Sequence, residues 1–137
     1  MESTNAPFEG STAALWAGRT LSGVVILFLA FDASMKLLAV APVTEAMEQI
    51  GWGSSAGLAR GLGVLLAICT LLYAVPRSSI LGAILLTGYL GGAIASHLRI
   101  GSPIFTHVLF GAYLGLMLWG GLYLRNGRLR RLIPLIA

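Results

Sequence analysis

Four long apolar stretches constrain this chain more than any other feature of its sequence. They cover residues 20–41, 57–75, 78–98 and 104–124. A helix needs about 20 apolar residues to cross the hydrocarbon core of a bilayer, and each stretch has that length. Only 10% of the 137 residues are charged, whereas a soluble domain carries about a quarter. We therefore predict an all-α integral membrane protein, built as a bundle of four transmembrane helices.

Little of the chain lies outside these stretches. We predict a polar N-terminal segment over residues 1–18, a single transmembrane domain over residues 19–131, and a basic C-terminal tail over residues 125–137. The N-terminal segment is not basic, and Asp32 interrupts the first apolar stretch, so we interpret that stretch as a retained helix and not as a signal peptide. No room remains for a soluble catalytic domain, and any chemistry must use helix ends and short loops.

Arginine residues predict the orientation of the chain. With four spans, both termini and the middle loop share one side of the membrane. The positive-inside rule places the side with more arginine in the cytoplasm. That side is the one with the termini, because it carries Arg19, Arg77, Arg125, Arg128, Arg130 and Arg131. The arginines of the tail are interpreted as contacts to anionic lipid, and we predict no nucleic-acid partner.

The segment between the first two stretches has the pattern of a short amphipathic helix. Pro42 suits its first position and Gly51 suits its end. Trp52 follows as an expected interfacial anchor. One face of this segment is apolar, with Val43, Ala46, Met47 and Ile50. We predict that the helix lies in the outer interface and covers the mouth of the bundle.

Glycines recur at a spacing of four residues in three of the apolar stretches. Small residues at this spacing let helix backbones approach closely in a membrane. The pairs are Gly57/Gly61, Gly88/Gly92 and Gly111/Gly115. They predict a compact bundle, and they equally suit the contact between two copies of the chain.

Six charged or titratable residues are expected at the outer end of the bundle, opposite the termini, and Tyr89, in the middle of its span, is a seventh candidate. An ionisable side chain inside a membrane-length helix is costly, and it usually marks a working site or a structural ion pair. The candidates are Asp32, Lys36, Arg60, Tyr89, His97, Arg99 and His107. All four spans contribute at similar depth, which predicts one concave site. Cationic groups there suit an anion or a quinone-like carbonyl, and Asp32 or a histidine could move protons.

Each of these residues also has a structural interpretation. Lys36, Arg60 and Arg99 have the position of cations that extend to the lipid head groups. Asp32 could pair with Lys36 or Arg60 and only orient helices. The two histidines could form ordinary interfacial hydrogen bonds. On the face of Tyr89 lie Gly92, Ser96 and Arg99, which form a polar path toward the outer cluster.

Other chemistry has little support in the sequence. Cys69 stands alone, so a disulfide within one chain is excluded. No metal site is predicted, and a haem held by His97 and His107 is the less favoured alternative, because two histidines form a weak ligand set. Tyr73 and Tyr123, which precede inner arginines, are typical of an interfacial aromatic belt.

Several strings of this sequence resemble the DoxX-like family of small bacterial membrane proteins. They are the segments 31–37 (FDASMKL), 59–63 (ARGLG) and 81–93 (LGAILLTGYLGGA), followed by His97-Leu98-Arg99 and His107. The resemblance implies a four-helix protein of the bacterial inner membrane. The founding member of the wider superfamily is associated with thiosulfate oxidation coupled to quinone reduction. Other relatives are linked to redox complexes or to receptor assembly.

Two functions follow as hypotheses. The first is a small quinone- or anion-binding accessory subunit of a membrane redox system, with a quinone as the expected cofactor and a redox complex as the partner. The alternative is a non-enzymatic protein that binds a lipid or small molecule, or that assists assembly of another membrane protein. Both imply contact with the lipid bilayer, and a homo-oligomer through the glycine-rich faces fits either. The chain has no cofactor motif of an independent oxidoreductase, so an independent enzyme is the less favoured interpretation.

Overall fold

The computed structural model of the chain describes residues 12–133, and within that range every regular element is helical. The elements are α1 (Thr12–Leu38), α2 (Ala41–Gln49), α3 (Ala56–Ala74), α4 (Ser79–Arg99), a π-helical turn (Ile104–Val108), α5 (Phe110–Arg125) and α6 (Gly127–Leu132). Four segments are long and apolar enough to span a membrane, namely α1, α3, α4 and the continuous segment Ile104–Arg125. The predicted all-α membrane bundle with a short helix between its first two spans is confirmed.

The bounds of three spans lie within one residue of the prediction, but the first helix differs at both ends. It begins at Thr12 and not at residue 20, because residues 12–18 contain alanine, leucine and tryptophan with no proline, and nothing interrupts the helix there. It ends at Leu38 because Ala39 adopts a left-handed φ of 49°. Residues 1–11, most of the predicted polar segment, lie outside the described residues.

The four spans form a closed ring. Helix α1 packs against α3 and α5, and α4 packs against the same two helices. The interior between them is filled along the inner half by large apolar side chains that are almost fully buried: Val25, Leu29, Leu66, Leu86, Leu118 and Leu122. We use "inner end" for the end where α1 begins and α5 finishes, and "outer end" for the opposite end, where α1 and α4 finish.

Close helix contacts use glycines other than most of those predicted. A Cβ atom placed on Gly18 would lie 2.8 Å from the carbonyl oxygen of Gly121, and one on Gly63 would lie 2.8 Å from the backbone of α1. A Cβ on Gly82 would overlap the backbone of Tyr73. Of the predicted pairs, only Gly111 lies at such a contact, against α4. Among the described residues, no other helix meets a Cβ at Gly57, Gly61, Gly88, Gly92 or Gly115.

The inner end is closed by a chain of hydrogen bonds centred on Tyr73. This side chain is 0% exposed, so the prediction of an interfacial belt residue is wrong for Tyr73. Its hydroxyl donates to the carbonyl oxygen of Leu118 at 2.6 Å and lies 2.9 Å from the hydroxyl of Ser22. Arg125 in turn donates from Nε to Ser22 Oγ at 3.0 Å. The position of a tyrosine near a helix end does not by itself indicate the membrane interface. A tyrosine hydroxyl is also stable in the protein interior when it has hydrogen-bond partners there, as Tyr73 does.

Helix α2 lies across the outer end as predicted. Pro42 is in its first turn, and Gly51 ends the segment with a φ of 84°. Met47 is buried. Two hydrogen bonds fasten the end of this helix to α4: Arg99 donates to the carbonyl oxygen of Ile50 at 3.2 Å, and the indole of Trp52 donates to Ser96 Oγ at 3.1 Å.

Candidate functional site

A cavity of about 520 Å³ occupies the outer half of the bundle. All four spans contribute to its walls, and the apolar face of α2 covers it with Val43, Ala46, Met47 and Ile50. These are the four residues that the sequence pattern placed on one face of the short helix. The short helix therefore contributes its apolar face to the cavity wall. Its location in the outer membrane interface stays a prediction. A space of this size accommodates a small organic ligand.

Most of the cavity wall is apolar. Leu65 of α3 and Leu114 of α5 both line it. Phe28 of α1 and Phe110 of α5 meet edge to face, with ring centroids 5.4 Å apart. Gly88 and Gly92 line the wall on α4, and they leave space where a larger side chain would stand. Such a wall suits hydrocarbon or an aromatic ring and offers little to a strongly hydrated ligand.

Five of the seven predicted site residues line this cavity together. They are Asp32, Lys36, Tyr89, His97 and His107. Asp32 and Lys36 form an ion pair, with Lys36 Nζ 2.5 Å from Asp32 Oδ2. This is the (i, i+4) arrangement expected from their spacing. Both side chains are partly buried, and the pair brings little net charge to the wall.

Tyr89 is the only one of these five whose polar atom has no hydrogen bond to the residues that the structure describes. It is half-buried on the cavity wall. A tyrosine hydroxyl both donates and accepts. Its hydroxyl is thus available to a ligand in the cavity.

The two histidines meet at the outer edge of the cavity. Their ring centroids are 5.6 Å apart in an edge-to-face arrangement. The Nδ1 atom of His97 lies 3.0 Å from Ser102 Oγ, and that of His107 lies 2.8 Å from Thr106 Oγ1. His107 is exposed, because it stands on the π-helical turn that opens the last span. The pair therefore connects the cavity with the outer surface.

This geometry does not favour a haem. A haem ligated by both rings would lie between them, and two rings in edge-to-face contact leave no gap for a macrocycle. Across residues 12–133, no three His, Cys, Asp or Glu side chains come close enough together to hold a metal ion.

Arg60 and Arg99 do not line the cavity. Arg60 is exposed at the start of α3, on the outside of the ring. Arg99 is also exposed and holds α2 through its hydrogen bond to the Ile50 carbonyl. Their position on helix ends was readable from the sequence, but their direction around the helix axis was not. Without them, Lys36 is the only lysine or arginine that residues 12–133 contribute to the cavity wall.

Two polar contributors to the site were not predicted as ligand contacts. Trp52 was expected to be a lipid anchor, yet it lines the cavity and binds Ser96. Ser96 was noted only as part of a polar path on α4, and it too reaches the wall. The spacing of Ser96 from Tyr89 and Gly92 could have indicated this role. Nothing in the local sequence distinguishes Trp52 from an ordinary interfacial tryptophan.

Comparison with known proteins places most of the bundle in one family. The family model described as the DoxX-like family matches residues 20–121. This match covers α2, α3 and α4 completely and includes all seven predicted site residues. No curated protein and no solved structure matches the chain. Four membrane-length helices and a family match over most of the sequence lead to one conclusion: this chain is a membrane protein that belongs to the DoxX-like family.

Proposed function

We propose that the cavity binds a quinone-like molecule, and that the protein serves as an accessory subunit of a membrane redox system. The observation that carries this proposal is that the cavity wall has a large apolar part and a small polar part. Most of it is apolar, and Asp32, Lys36, Tyr89 and the two histidines supply a limited polar region. A quinone has the same division, with a ring and hydrocarbon tail of low polarity and carbonyl oxygens that accept hydrogen bonds. The residues present fit such a group.

The charge of the cavity favours a neutral head group over an anion. The sequence offered three cations, but only Lys36 lines the wall, and Asp32 neutralises it at 2.5 Å. An anion would have to compete with this carboxylate for the ammonium group, and it would lose hydration in an apolar space. A carbonyl oxygen has no such cost, because it is uncharged.

The polar side chains would have different roles at such a head group. Tyr89 would donate a hydrogen bond to a carbonyl oxygen, because its hydroxyl has no other partner among the described residues. His97 and His107 would exchange protons between the head group and the outer surface, since the rings touch and His107 is exposed. A quinone that gains electrons also takes up protons, and the electrons would come from a partner redox protein.

Extraction of the purified protein with organic solvent, followed by mass spectrometry, tests the proposal directly. We expect a quinone at a constant ratio to the protein. Calorimetric titration with decylubiquinone then provides an affinity. Replacement Asp32→Asn leaves the Lys36 ammonium unpaired in the wall. A neutral ligand would then displace water that solvates this charge, so we expect about tenfold weaker binding.

Arg60→Gln is the matched control for this titration, because it removes a charge at the same end but outside the cavity. Its affinity should equal that of the wild type. If Asp32→Asn also kept the wild-type affinity and thermal stability, Asp32 would have no functional role.

The alternative function, binding of a lipid or small molecule without redox chemistry, uses the same apolar wall. A single-chain lipid would fill the space between Phe28 and Leu114 and place its head group near Lys36. The extraction experiment separates the two functions. A fatty acid or lysolipid in place of a quinone, together with no calorimetric response to decylubiquinone, would support the alternative and overturn the redox proposal.

We further propose a bacterial inner-membrane location with both termini in the cytoplasm. The arginine-rich inner end supports this orientation. Single cysteines at Ser54 and Arg77, in exposed loops at opposite ends, provide the test. A membrane-impermeant maleimide added to intact spheroplasts should label S54C and not R77C. Cys69 does not interfere because it is buried.

A further inference from the structure

A second, smaller crevice lies at the inner end of the bundle, far from the cavity. Its volume is about 180 Å³, and it opens between α1, α3 and α5. Arg19 and Arg125 line it, together with the small or apolar residues Ser22, Gly23, Ile26 and Ala74. Two guanidinium groups thus share one recess at the end of a membrane-spanning bundle.

The packing of α1 on α5 explains why the two arginines meet. Gly18 and Gly121 allow the helix backbones to touch, and a Cβ on Gly121 would lie 2.6 Å from Ser22 Oγ. Arg19 directly follows Gly18, and Arg125 lies one turn beyond Gly121. Any larger residue at these glycines would separate the helices. The crevice is therefore a consequence of the closest helix contact at this end.

Arg125 is held in place from within the protein. Its Nε donates to Ser22 Oγ at 3.0 Å, its Nη2 lies 3.5 Å from the carbonyl oxygen of Tyr73, and its guanidinium stacks over the Tyr73 ring at 5.4 Å. Its Nη1 makes no hydrogen bond to the described residues. A guanidinium fixed in this way loses little conformational entropy when it binds a further acceptor.

Arg19 is exposed, and its guanidinium lies 5.2 Å from the ring of Trp16. Neither arginine has a carboxylate partner in the part of the chain that the structure describes, where Lys36 and Asp32 form the one ion pair. The crevice consequently has an excess of positive charge, in contrast to the neutralised cavity at the outer end.

We infer that this crevice binds the phosphate group of one anionic phospholipid. Planar guanidinium groups match phosphate oxygens in geometry and charge. The position at the end of the spans and the apolar contribution of Ile26 and Ala74 suit a lipid better than a free ion, because acyl chains can continue along the helices. Trp16 is exposed beside Arg19, as expected where head groups meet hydrocarbon. This inference rests on the inner end alone and does not depend on the proposed function.

Native mass spectrometry of the delipidated full-length protein tests the inference. The probes are dioleoylphosphatidylglycerol, dioleoylphosphatidylcholine and inorganic phosphate. We expect one phosphatidylglycerol molecule to remain bound at a collision energy that removes phosphatidylcholine. Arg19→Gln should weaken this binding about tenfold, the effect of one charge-assisted contact.

Arg77→Gln is the matched control, since Arg77 is an exposed cation at the same end that does not line the crevice. Its lipid affinity should stay at the wild-type value. Arg125→Lys keeps the charge but loses the planar guanidinium and its bonds to Ser22 and Tyr73, so it should both weaken binding and lower the melting temperature in the absence of lipid. Arg19→Gln changes an exposed side chain, so it should weaken binding with little change in that melting temperature. Equal losses for Arg19→Gln and Arg77→Gln would overturn the inference, because they would indicate a diffuse basic surface. Saturation of the site by inorganic phosphate alone would also overturn it.

Discussion

The two ends of this bundle contain similar side chains and use them in opposite ways. At the inner end, Tyr73 is fully buried and its hydroxyl is bonded to Leu118 and Ser22. At the outer end, Tyr89 is half-buried and its hydroxyl has no partner among the described residues. One tyrosine fastens helices together, whereas the other lines a cavity of about 520 Å³. A polar residue in a membrane helix thus indicates structure or binding only through what surrounds it.

Glycine placement accounts for much of this difference. At the inner end, Gly18, Gly82 and Gly121 lie against backbone atoms of a neighbouring helix, so the space that a side chain would take is filled by protein. On α4, Gly88 and Gly92 lie against no other helix and line the cavity. Glycine therefore permits a close helix contact at some positions, Gly63 and Gly111 of the outer half included, and leaves space for the cavity at Gly88 and Gly92. Four comparisons between variants, in order of decreasing effect, test the contrast between the two ends.

The largest effect is expected from Gly82→Ala. The new Cβ would overlap the backbone of Tyr73, which cannot move without shifting α3. We expect a loss of about 3 kcal/mol in the free energy of unfolding, the upper range for overpacking. Gly88→Ala is the control in the same helix, and it should be neutral or slightly stabilising, since alanine favours a helix over glycine. Thermal unfolding in detergent measures both. Equal melting temperatures for the two variants would contradict the contrast.

The next effect concerns the ligand and not the fold. Gly92→Leu would place a leucine side chain in the cavity, because a Cβ there meets no neighbouring atom within 4 Å. We expect at least about tenfold weaker binding of decylubiquinone by calorimetry, with the melting temperature unchanged. Gly61→Leu is the control, since Gly61 also lies in open space but does not line the cavity. If Gly92→Leu and Gly61→Leu both bound decylubiquinone more weakly, the effect would come from introducing leucine anywhere in the bundle and not from filling the cavity.

Removal of the two tyrosine hydroxyls should have a smaller effect. Tyr73→Phe removes the hydrogen bonds of this hydroxyl to the Leu118 carbonyl and to Ser22, and we expect a loss of about 1 kcal/mol in stability. Tyr89→Phe removes a hydroxyl with no described protein partner, so stability should not change while decylubiquinone binding weakens. Thermal unfolding and calorimetry on both variants test whether Tyr73→Phe loses stability and Tyr89→Phe loses affinity for decylubiquinone. A stability loss in Tyr89→Phe equal to that in Tyr73→Phe would refute it.

The fold was predictable because its signals are local and strong. Each span is a long apolar stretch, and the Pro42 and Gly51 signals bound the segment in which the structure places α2. The depth of the polar residues also followed from the rise of a helix per residue, which is why Asp32 and His97 were expected at similar height. The start of α1 was missed because Arg19 interrupts the apolar pattern, although residues 12–18 before it are compatible with a helix.

The candidate site was only partly predictable because its composition depends on rotation about each helix axis. Asp32 and Arg60 were both placed at the outer end, yet only Asp32 turns inward. In lipid, an apolar face does not identify the interior, because the outside is apolar as well. The glycine pairs misled for the same reason: the spacing is visible, but whether a pair faces a helix, lipid or a cavity is not.

The smallest expected effect concerns the cover of the cavity, and it compares two tryptophans with similar hydrogen bonds. Trp52 donates to Ser96 Oγ at 3.1 Å and lines the cavity, while Trp119 donates to Thr87 Oγ1 at 2.8 Å and does not. Trp52→Phe keeps an aromatic ring but frees the end of α2 from one of its two described bonds to α4. One exposed hydrogen bond stabilises by about 0.5 kcal/mol, so we expect decylubiquinone to dissociate about twofold faster with little change in melting temperature.

Trp119→Phe should leave dissociation unchanged, because its bond joins α5 to α4 outside the cavity wall. Faster dissociation in Trp119→Phe alone would place the exit of the ligand on the other side of the bundle and remove α2 from its role as a cover.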